Sequence, residues 1–241
     1  MLYPIKILSI MSSIPDNLQA VHAQIHSAAA SVGRDPYSVN LLAVSKTFGA
    51  DAVIAAALAG QRAFGENYLQ EALDKMAEIR QTRPDLLLEW HFIGPIQSNK
   101  TRQIAENFDW VHSIEREKIA HRLSEQRPLH LAPLNVCIQV NVSGETSKSG
   151  VAPDQLLPLA QAVAAMPRLR LRGLMAIPEA SADTAQQRLP FRQLHQMYDD
   201  LRAQGLMVDT ISMGMSADMD AAIAEGASIV RVGTAIFGKR T

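Results

Sequence analysis

The chain has 241 residues, with 23 lysines and arginines against 24 aspartates and glutamates, so its formal net charge is −1. This balance excludes the classes of protein that bind nucleic acid or anionic membranes through their overall charge. The single cysteine, Cys137, cannot form an internal disulfide, which is typical of a reducing cytosol and predicts a cytoplasmic protein with Cys137 in its core.

The first segment, MLYPIKILSI, is apolar but too short to cross a membrane, and Pro4 interrupts it. No small-residue cleavage site follows, and Met11 opens a stretch that is typical of a natural start. We therefore predict that residues 1–12 form an extra tail, disordered or derived from a misassigned start. Residues 13–241 are predicted to form one domain.

Apolar residues recur at helical spacing from about residue 15 to 32, and Gly33 predicts the end of this helix. Eight candidate strands then alternate with helical patterns. This alternation predicts an α/β protein with a single (β/α)8 TIM barrel, and an open doubly wound sheet is the alternative. The predicted strands are Leu41–Ser45, Arg62–Gly65, Trp90–Ile93, Trp110–His112, Leu134–Val142, Leu169–Ala176, Thr210–Met213 and Ile229–Val232.

Polar residues follow several strands, at the end of a barrel where active sites lie. Lys46 follows the first strand, in LLAVSKTFGA. The stretches SMGMSADM and RVGTAIFG follow strands seven and eight, where Gly214 and Gly233 would let a ligand approach the backbone. Ser216 is predicted to cap the next helix and Thr234 to add a hydroxyl, which together indicate a phosphate cradle.

A lysine that faces a phosphate cradle has two chemical interpretations, and the residues leave both open. It could form a Schiff base with the carbonyl of a sugar phosphate, or an aldimine with pyridoxal 5′-phosphate. Arg231, on the eighth strand, favours the second because its guanidinium could lie beside a bound ring. The sequence has no G-x-G-x-x-G, no P-loop, no G-x-S-x-G elbow and no convincing metal-ligand spacing.

Six stretches in the same order resemble the pyridoxal phosphate homeostasis protein family (the YggS/PROSC type), over about residues 18–238. This resemblance implies a TIM barrel similar to the N-terminal domain of alanine racemase. The motifs are LLAVSKT, FGENYLQE, EWHFIGPIQSNK, GLMAIP, SMGMSADMDAAIAEG and VRVGTAIFG.

The resemblance implies a role for individual residues. Lys46 matches the lysine that forms the aldimine, and Arg231 matches the arginine that faces the pyridine nitrogen. The cofactor is pyridoxal 5′-phosphate, and the other implied binding positions are Asn67, Met175, Met213, Gly214, Ser216, Gly233 and Thr234, with Lys148 as a loop lysine near the pocket mouth.

An arginine at the ring nitrogen predicts a weak electron sink. A guanidinium can only donate a hydrogen bond to that nitrogen, so the nitrogen stays unprotonated. Racemisation also needs a second base, which alanine racemase takes from a further domain, and this chain ends at Thr241. We therefore predict a monomeric protein of intracellular pyridoxal phosphate homeostasis, not an enzyme, with cofactor delivery to apo-enzymes as a further expectation. The alternatives are a racemase-like enzyme and a Schiff-base sugar-phosphate aldolase.

Overall fold

Eight parallel strands close into a barrel in the order of the chain, and β8 pairs with β1. The computed structural model describes residues 4–143, 149–179, 181 and 183–238. The predicted (β/α)8 barrel is therefore confirmed, and the alternative of an open sheet is wrong. The strands are β1 (Asn40–Val44), β2 (Ala63–Glu66), β3 (Glu89–Phe92), β4 (Trp110–Ile114), β5 (Leu134–Gln139), β6 (Leu169–Met175), β7 (Thr210–Ser212) and β8 (Ile229–Val232).

Helices follow the strands on the outside of the barrel. None of the described helices is long and apolar enough to cross a membrane. Their bounds are α1 (Pro4–Ser31), α2 (Ala50–Leu58), α3 (Leu69–Thr82), α4 (Thr101–Asn107), α5 (Glu117–Gln126), α6 (Leu156–Ala164), α7 (Thr184–Ala203), α8 (Met219–Ala224) and α9 (Thr234–Phe237).

The first helix packs across α2, α8 and α9 and so joins the start of the barrel to its end. Its buried residues recur every three or four positions, as an amphipathic helix requires, and include Leu18, Val21 and Ile25. The helix begins at Pro4, earlier than the predicted start near residue 15, and ends before Gly33 as predicted. The domain division at residue 12 stays a prediction.

The interior of the barrel contains apolar and polar layers. Leu42, Val44, Ile93 and Ile229 form one apolar cluster, and Trp110, Cys137 and Met175 form another. Cys137 is fully buried, as predicted, and burial raises the pKa of its thiol to about 12. The thiol is therefore protonated at neutral pH and belongs to the core.

Gly173 lets β6 pack against β7 at a point where a side chain has no room. Its φ is 155°, and a Cβ atom at this position would overlap the carbonyl oxygen of Thr210. Only glycine satisfies both conditions, because it has no Cβ.

We expect Gly173→Ala to lower the free energy of unfolding by about 2–4 kcal/mol, since overpacking and a positive φ each cost about 1–3 kcal/mol. Urea denaturation measures this loss. Gly60→Ala is the matched control, because Gly60 has a φ of 102° but no atom within 4 Å of a Cβ there. An equal loss in the two variants would contradict the packing explanation.

Candidate functional site

A cavity of about 340 Å³ opens at the carboxyl ends of β1, β2 and β8 and the loop after β7. Among the described lining residues, Lys46 and Arg231 are cationic and none is a carboxylate, which favours an anionic ligand. The lining consists of Val44, Lys46, Phe48, Asn67, Ile93, Ile177, Met215, Ser216, Ala217, Arg231, Gly233, Thr234 and Gly238.

The fold brings together six of the residues predicted from the sequence. They are Lys46, Asn67, Ser216, Arg231, Gly233 and Thr234, from four separate segments of the chain. Met175 and Met213 are fully buried in the core and lie outside this lining, and Gly214 lies next to it. Lys148 lies outside the described residues.

Arg231 is 4% exposed, and acceptors at the end of β7 and after β6 hold its guanidinium. Nη1 donates to the carbonyl oxygen of Ser212 at 2.7 Å and to its Oγ at 2.8 Å. Nη2 donates to the carbonyl oxygen of Ala176 at 2.8 Å. Burial lowers the pKa of Arg231 to about 10, so the guanidinium still carries its charge at neutral pH.

Two glycines let the backbone pack closely near the cavity. At Gly233, a Cβ atom would lie 2.9 Å from the carbonyl oxygen of Val44, and this glycine is the N-cap of α9. Gly214 has a φ of 91°, and a Cβ there would lie 2.5 Å from that of Ala222. The close packing of the backbone at both positions requires a residue without a side chain.

The predicted cap of the helix after β7 is wrong. Helix α8 begins at Met219 with Asp218 as its N-cap, and Asp218 Oδ1 accepts a bond from the backbone N–H of Met215. Asp218 thus closes the turn that contains Ser216. The Ser216 side chain remains exposed in the lining of the cavity instead of being used by the helix.

A buried ion pair holds the backbone next to Lys46. Lys75 Nζ, on α3, lies 2.6 Å from Glu66 Oε1, and both side chains are at least 97% buried. Lys75 also donates to the carbonyl oxygen of Ser45 at 2.9 Å, and the Ser45 hydroxyl donates to Glu66 Oε1 at 2.6 Å. The residue before Lys46 is therefore fixed by both members of the pair.

The residue after Lys46 is held as firmly. Thr47 has a φ of 68°, and it is the one described residue other than glycine with a positive φ. Its backbone N–H donates to Glu71 Oε1 at 2.6 Å, and the same oxygen lies 3.3 Å from Lys75 Nζ. Such a strained conformation costs about 1–3 kcal/mol and persists only where the surroundings enforce it.

Three residues that support the site, Lys75, Ser45 and Ser212, were not predicted from the sequence. The spacing of Glu71 and Lys75, one helical turn apart, was a usable signal for an ion pair, although not for its burial. Phe48, Ile93, Ile177 and Met215 form the apolar walls, and nothing in their spacing distinguishes them from core residues.

Comparisons with known proteins identify relatives over nearly the whole chain. The family described as "Alanine racemase, N-terminal domain" matches residues 17–241. A pyridoxal phosphate homeostasis protein of Pseudomonas aeruginosa is 62% identical over 95% of this chain and 97% of its own length. The protein of the same name from Escherichia coli is 52% identical over 95% and 98% of the two chains.

A solved structure agrees with these matches. PipY of Synechococcus elongatus, in a structure described as having PLP bound, is 35% identical and superposes with a TM-score of 0.82. The superposition covers 93% of this chain and all of the PipY chain. On these grounds the chain belongs to the pyridoxal phosphate homeostasis proteins, within the family of the alanine racemase N-terminal domain.

Proposed function

We propose that this protein binds pyridoxal 5′-phosphate reversibly at the mouth of the barrel and serves intracellular pyridoxal phosphate homeostasis. The observation that carries the proposal is the cavity between Lys46 and Arg231, which combines an amine, a guanidinium and a glycine-lined wall. The names of the relatives support the same role.

The residues of the cavity fit this cofactor. A volume of about 340 Å³ lies within the range of small-molecule sites, and the two cations suit a phosphate ester. Asn67 Oδ1 is buried without a hydrogen-bond partner in the described part of the chain, although Asn67 lines the cavity. A buried acceptor of this kind costs about 1–3 kcal/mol unless a ligand donates to it.

Each residue that the sequence predicts for the site has a proposed task. Lys46 supplies the amine for a reversible covalent link, and Ser216, Gly233 and Thr234 receive the phosphate. Arg231 donates to the ring nitrogen, and Asn67 accepts from a polar group of the ring. Met175, Met213 and Gly214 support the pocket from behind, and Lys148 acts at its mouth.

Arg231 is the reason to propose binding without robust catalysis. Bound pyridoxal phosphate supplies an electrophilic carbon and an electron sink, whose strength depends on protonation of the ring nitrogen. A guanidinium that keeps its proton cannot protonate that nitrogen fully, so it leaves the sink weak.

We also propose that the protein is monomeric, cytoplasmic and able to pass the cofactor to apo-enzymes.

Lys46→Ala should abolish covalent attachment of the cofactor, because the amine that forms the bond is lost. The protein is incubated with pyridoxal 5′-phosphate, reduced with borohydride and digested, and the modified peptide is located by mass spectrometry. We expect the phosphopyridoxyl group on Lys46 in the native protein. Lys118→Ala, on the exposed face of α5, is the matched control. In a parallel reduction with a sugar phosphate in place of the cofactor, attachment of its carbon chain to Lys46 would favour an aldolase. A native protein left unlabelled by pyridoxal 5′-phosphate would overturn the proposal.

The ion pair behind Lys46 should affect both stability and affinity. We expect Lys75→Met to lower the free energy of unfolding by about 3–5 kcal/mol, because it leaves the buried Glu66 without its partner. The double variant Lys75→Met/Glu66→Gln removes that charge and should recover most of the stability in urea denaturation.

The double variant nevertheless lacks the bond from Lys75 to the Ser45 carbonyl and the contact with Glu71. We therefore expect its dissociation constant for the cofactor, from absorbance titration, to remain about tenfold above the native value. Native affinity in this stable variant would refute a role for Lys75 in positioning Lys46.

The cofactor-loaded protein should not racemise free amino acids. Polarimetry of each common L-amino acid, incubated with the loaded protein, should give a constant optical rotation over hours. A loss of rotation that disappears in Lys46→Ala would identify the protein as a racemase-like enzyme and overturn the non-catalytic part of the proposal.

A further inference from the structure

A continuous chain of hydrogen bonds runs through the inside of the barrel, from Arg231 to the opposite mouth. Ser212 Oγ lies 2.8 Å from His112 Nδ1, and His112 Nε2 lies 2.9 Å from His91 Nδ1. His91 Nε2 lies 2.7 Å from Glu89 Oε1. These five residues, Arg231, Ser212, His112, His91 and Glu89, are called the barrel column below.

The three middle members of the column are buried, whereas its far end is open to water. Ser212 and His112 have no exposed surface and His91 is 2% exposed, but the Glu89 side chain is 49% exposed. Glu89 and His91 line a second cavity, of about 530 Å³, at the amino ends of the strands. The column therefore connects this cavity with the one that contains Lys46.

Burial keeps both imidazoles neutral at neutral pH. Burial lowers the pKa of His91, against the opposing effects of Glu89 and Asp109. Burial, His91 and Arg231 together hold the pKa of His112 well below its usual range. The hydrogen bond from His91 lowers the pKa of Glu89, and the charge of Arg172 also lowers it, so this carboxylate is ionised. Among the other titratable groups around the column, the Cys137 thiol is protonated, and Asp218 raises the pKa of Arg231 against the effect of burial.

These protonation states leave one direction for the hydrogen bonds. The Glu89 carboxylate only accepts, so His91 Nε2 carries the proton and Nδ1 of this neutral ring accepts. His112 Nε2 must then donate to His91, which makes His112 Nδ1 an acceptor for the Ser212 hydroxyl. Ser212 Oγ in turn accepts from Arg231 Nη1. Every bond in the column thus points away from Arg231.

Aromatic packing fixes the ring on which the direction depends. The indole of Trp110 stacks on His91 with ring centroids 5.2 Å apart and an angle of 5° between the planes. The guanidinium of Arg172 covers the Trp110 ring at 4.5 Å. A His91 ring held in this way keeps each nitrogen opposite its own partner.

We propose that the barrel column sets the orientation of Arg231, and that Ser212, His112 and His91 are positioning residues for its contact with the cofactor ring. This inference rests on the proposed function. Because the hydrogen bonds share one direction, a break at any link deprives the others of their polarised partner. The residues act as a unit through Arg231, although His91 and His112 lie outside the described lining of the cofactor cavity.

Three single variants test the unit, each at a different link: Ser212→Ala, His112→Phe and His91→Phe. We expect each to raise the dissociation constant for pyridoxal 5′-phosphate about tenfold and to shift the visible absorbance maximum in the same direction. The double variant Ser212→Ala/His112→Phe should resemble the single variants, because a chain that is already broken loses little from a second break. Tm values and near-ultraviolet circular dichroism establish that each variant is folded.

Ser113→Ala is the matched control, because the Ser113 hydroxyl is also buried on β4 but donates to the carbonyl oxygen of Gly94. It should keep native affinity and absorbance. Native binding by folded His112→Phe and His91→Phe, or a shift in Ser212→Ala alone, would overturn the proposal. Binding losses that add up in the double variant would overturn it as well.

A second measurement needs neither the cofactor nor a variant. Side-chain ¹⁵N NMR of the cofactor-free protein at pH 7 should show His91 and His112 as neutral rings protonated on Nε2. A proton on Nδ1 of either ring would overturn the proposal, even if the variants fail to fold. Failure of the native protein to bind pyridoxal phosphate would instead refute the proposed function, and the NMR result would still decide whether the column has the inferred direction.

Discussion

The pairing of β1 with β8 is the constraint on which the rest of this structure depends. Leu42 lies opposite Arg231 and Ala43 opposite Val232 in this parallel ladder. The first and last strands of the barrel thereby place Lys46 and Gly233 at one edge, although they are far apart in the chain. An open sheet would leave this edge unpaired and the two halves of the cavity apart, so closure of the barrel creates the site.

The folded protein also accommodates charge in its interior. Arg231, Glu66 and Lys75 are all buried, and a buried charge is costly unless it is paired and hydrogen-bonded. The protein meets this cost in two places. Glu66 and Lys75 neutralise each other beside Lys46, and backbone carbonyls with the Ser212 hydroxyl receive the Arg231 guanidinium. The first arrangement fixes the backbone beside Lys46, and the second holds the Arg231 guanidinium.

The two arrangements support different residues of the cavity lining. The pair of Glu66 and Lys75 fixes Ser45 before Lys46. Glu71 holds the backbone N–H of Thr47 after it, where the chain keeps a strained conformation. The barrel column supports Arg231 from inside the barrel, through hydrogen bonds that end at Glu89. A preorganised site of this kind loses little conformational entropy when a ligand binds. This suits a protein whose proposed task is to hold and release a cofactor.

The sequence by itself determined the eight strands and the placement of Lys46, Arg231, Ser216, Gly233 and Thr234 at strand ends, because periodicity, glycines and motif order are local properties. It did not determine the start of α8, whose N-cap is Asp218 and not Ser216, nor the complete burial of Met175 and Met213. Only the tertiary structure decided which polar residues meet in the interior of the protein. Glu66 of β2 meets Lys75 of α3, and His91, His112 and Ser212 meet from three different strands. These contacts depend on how the elements pack together, which no single segment specifies.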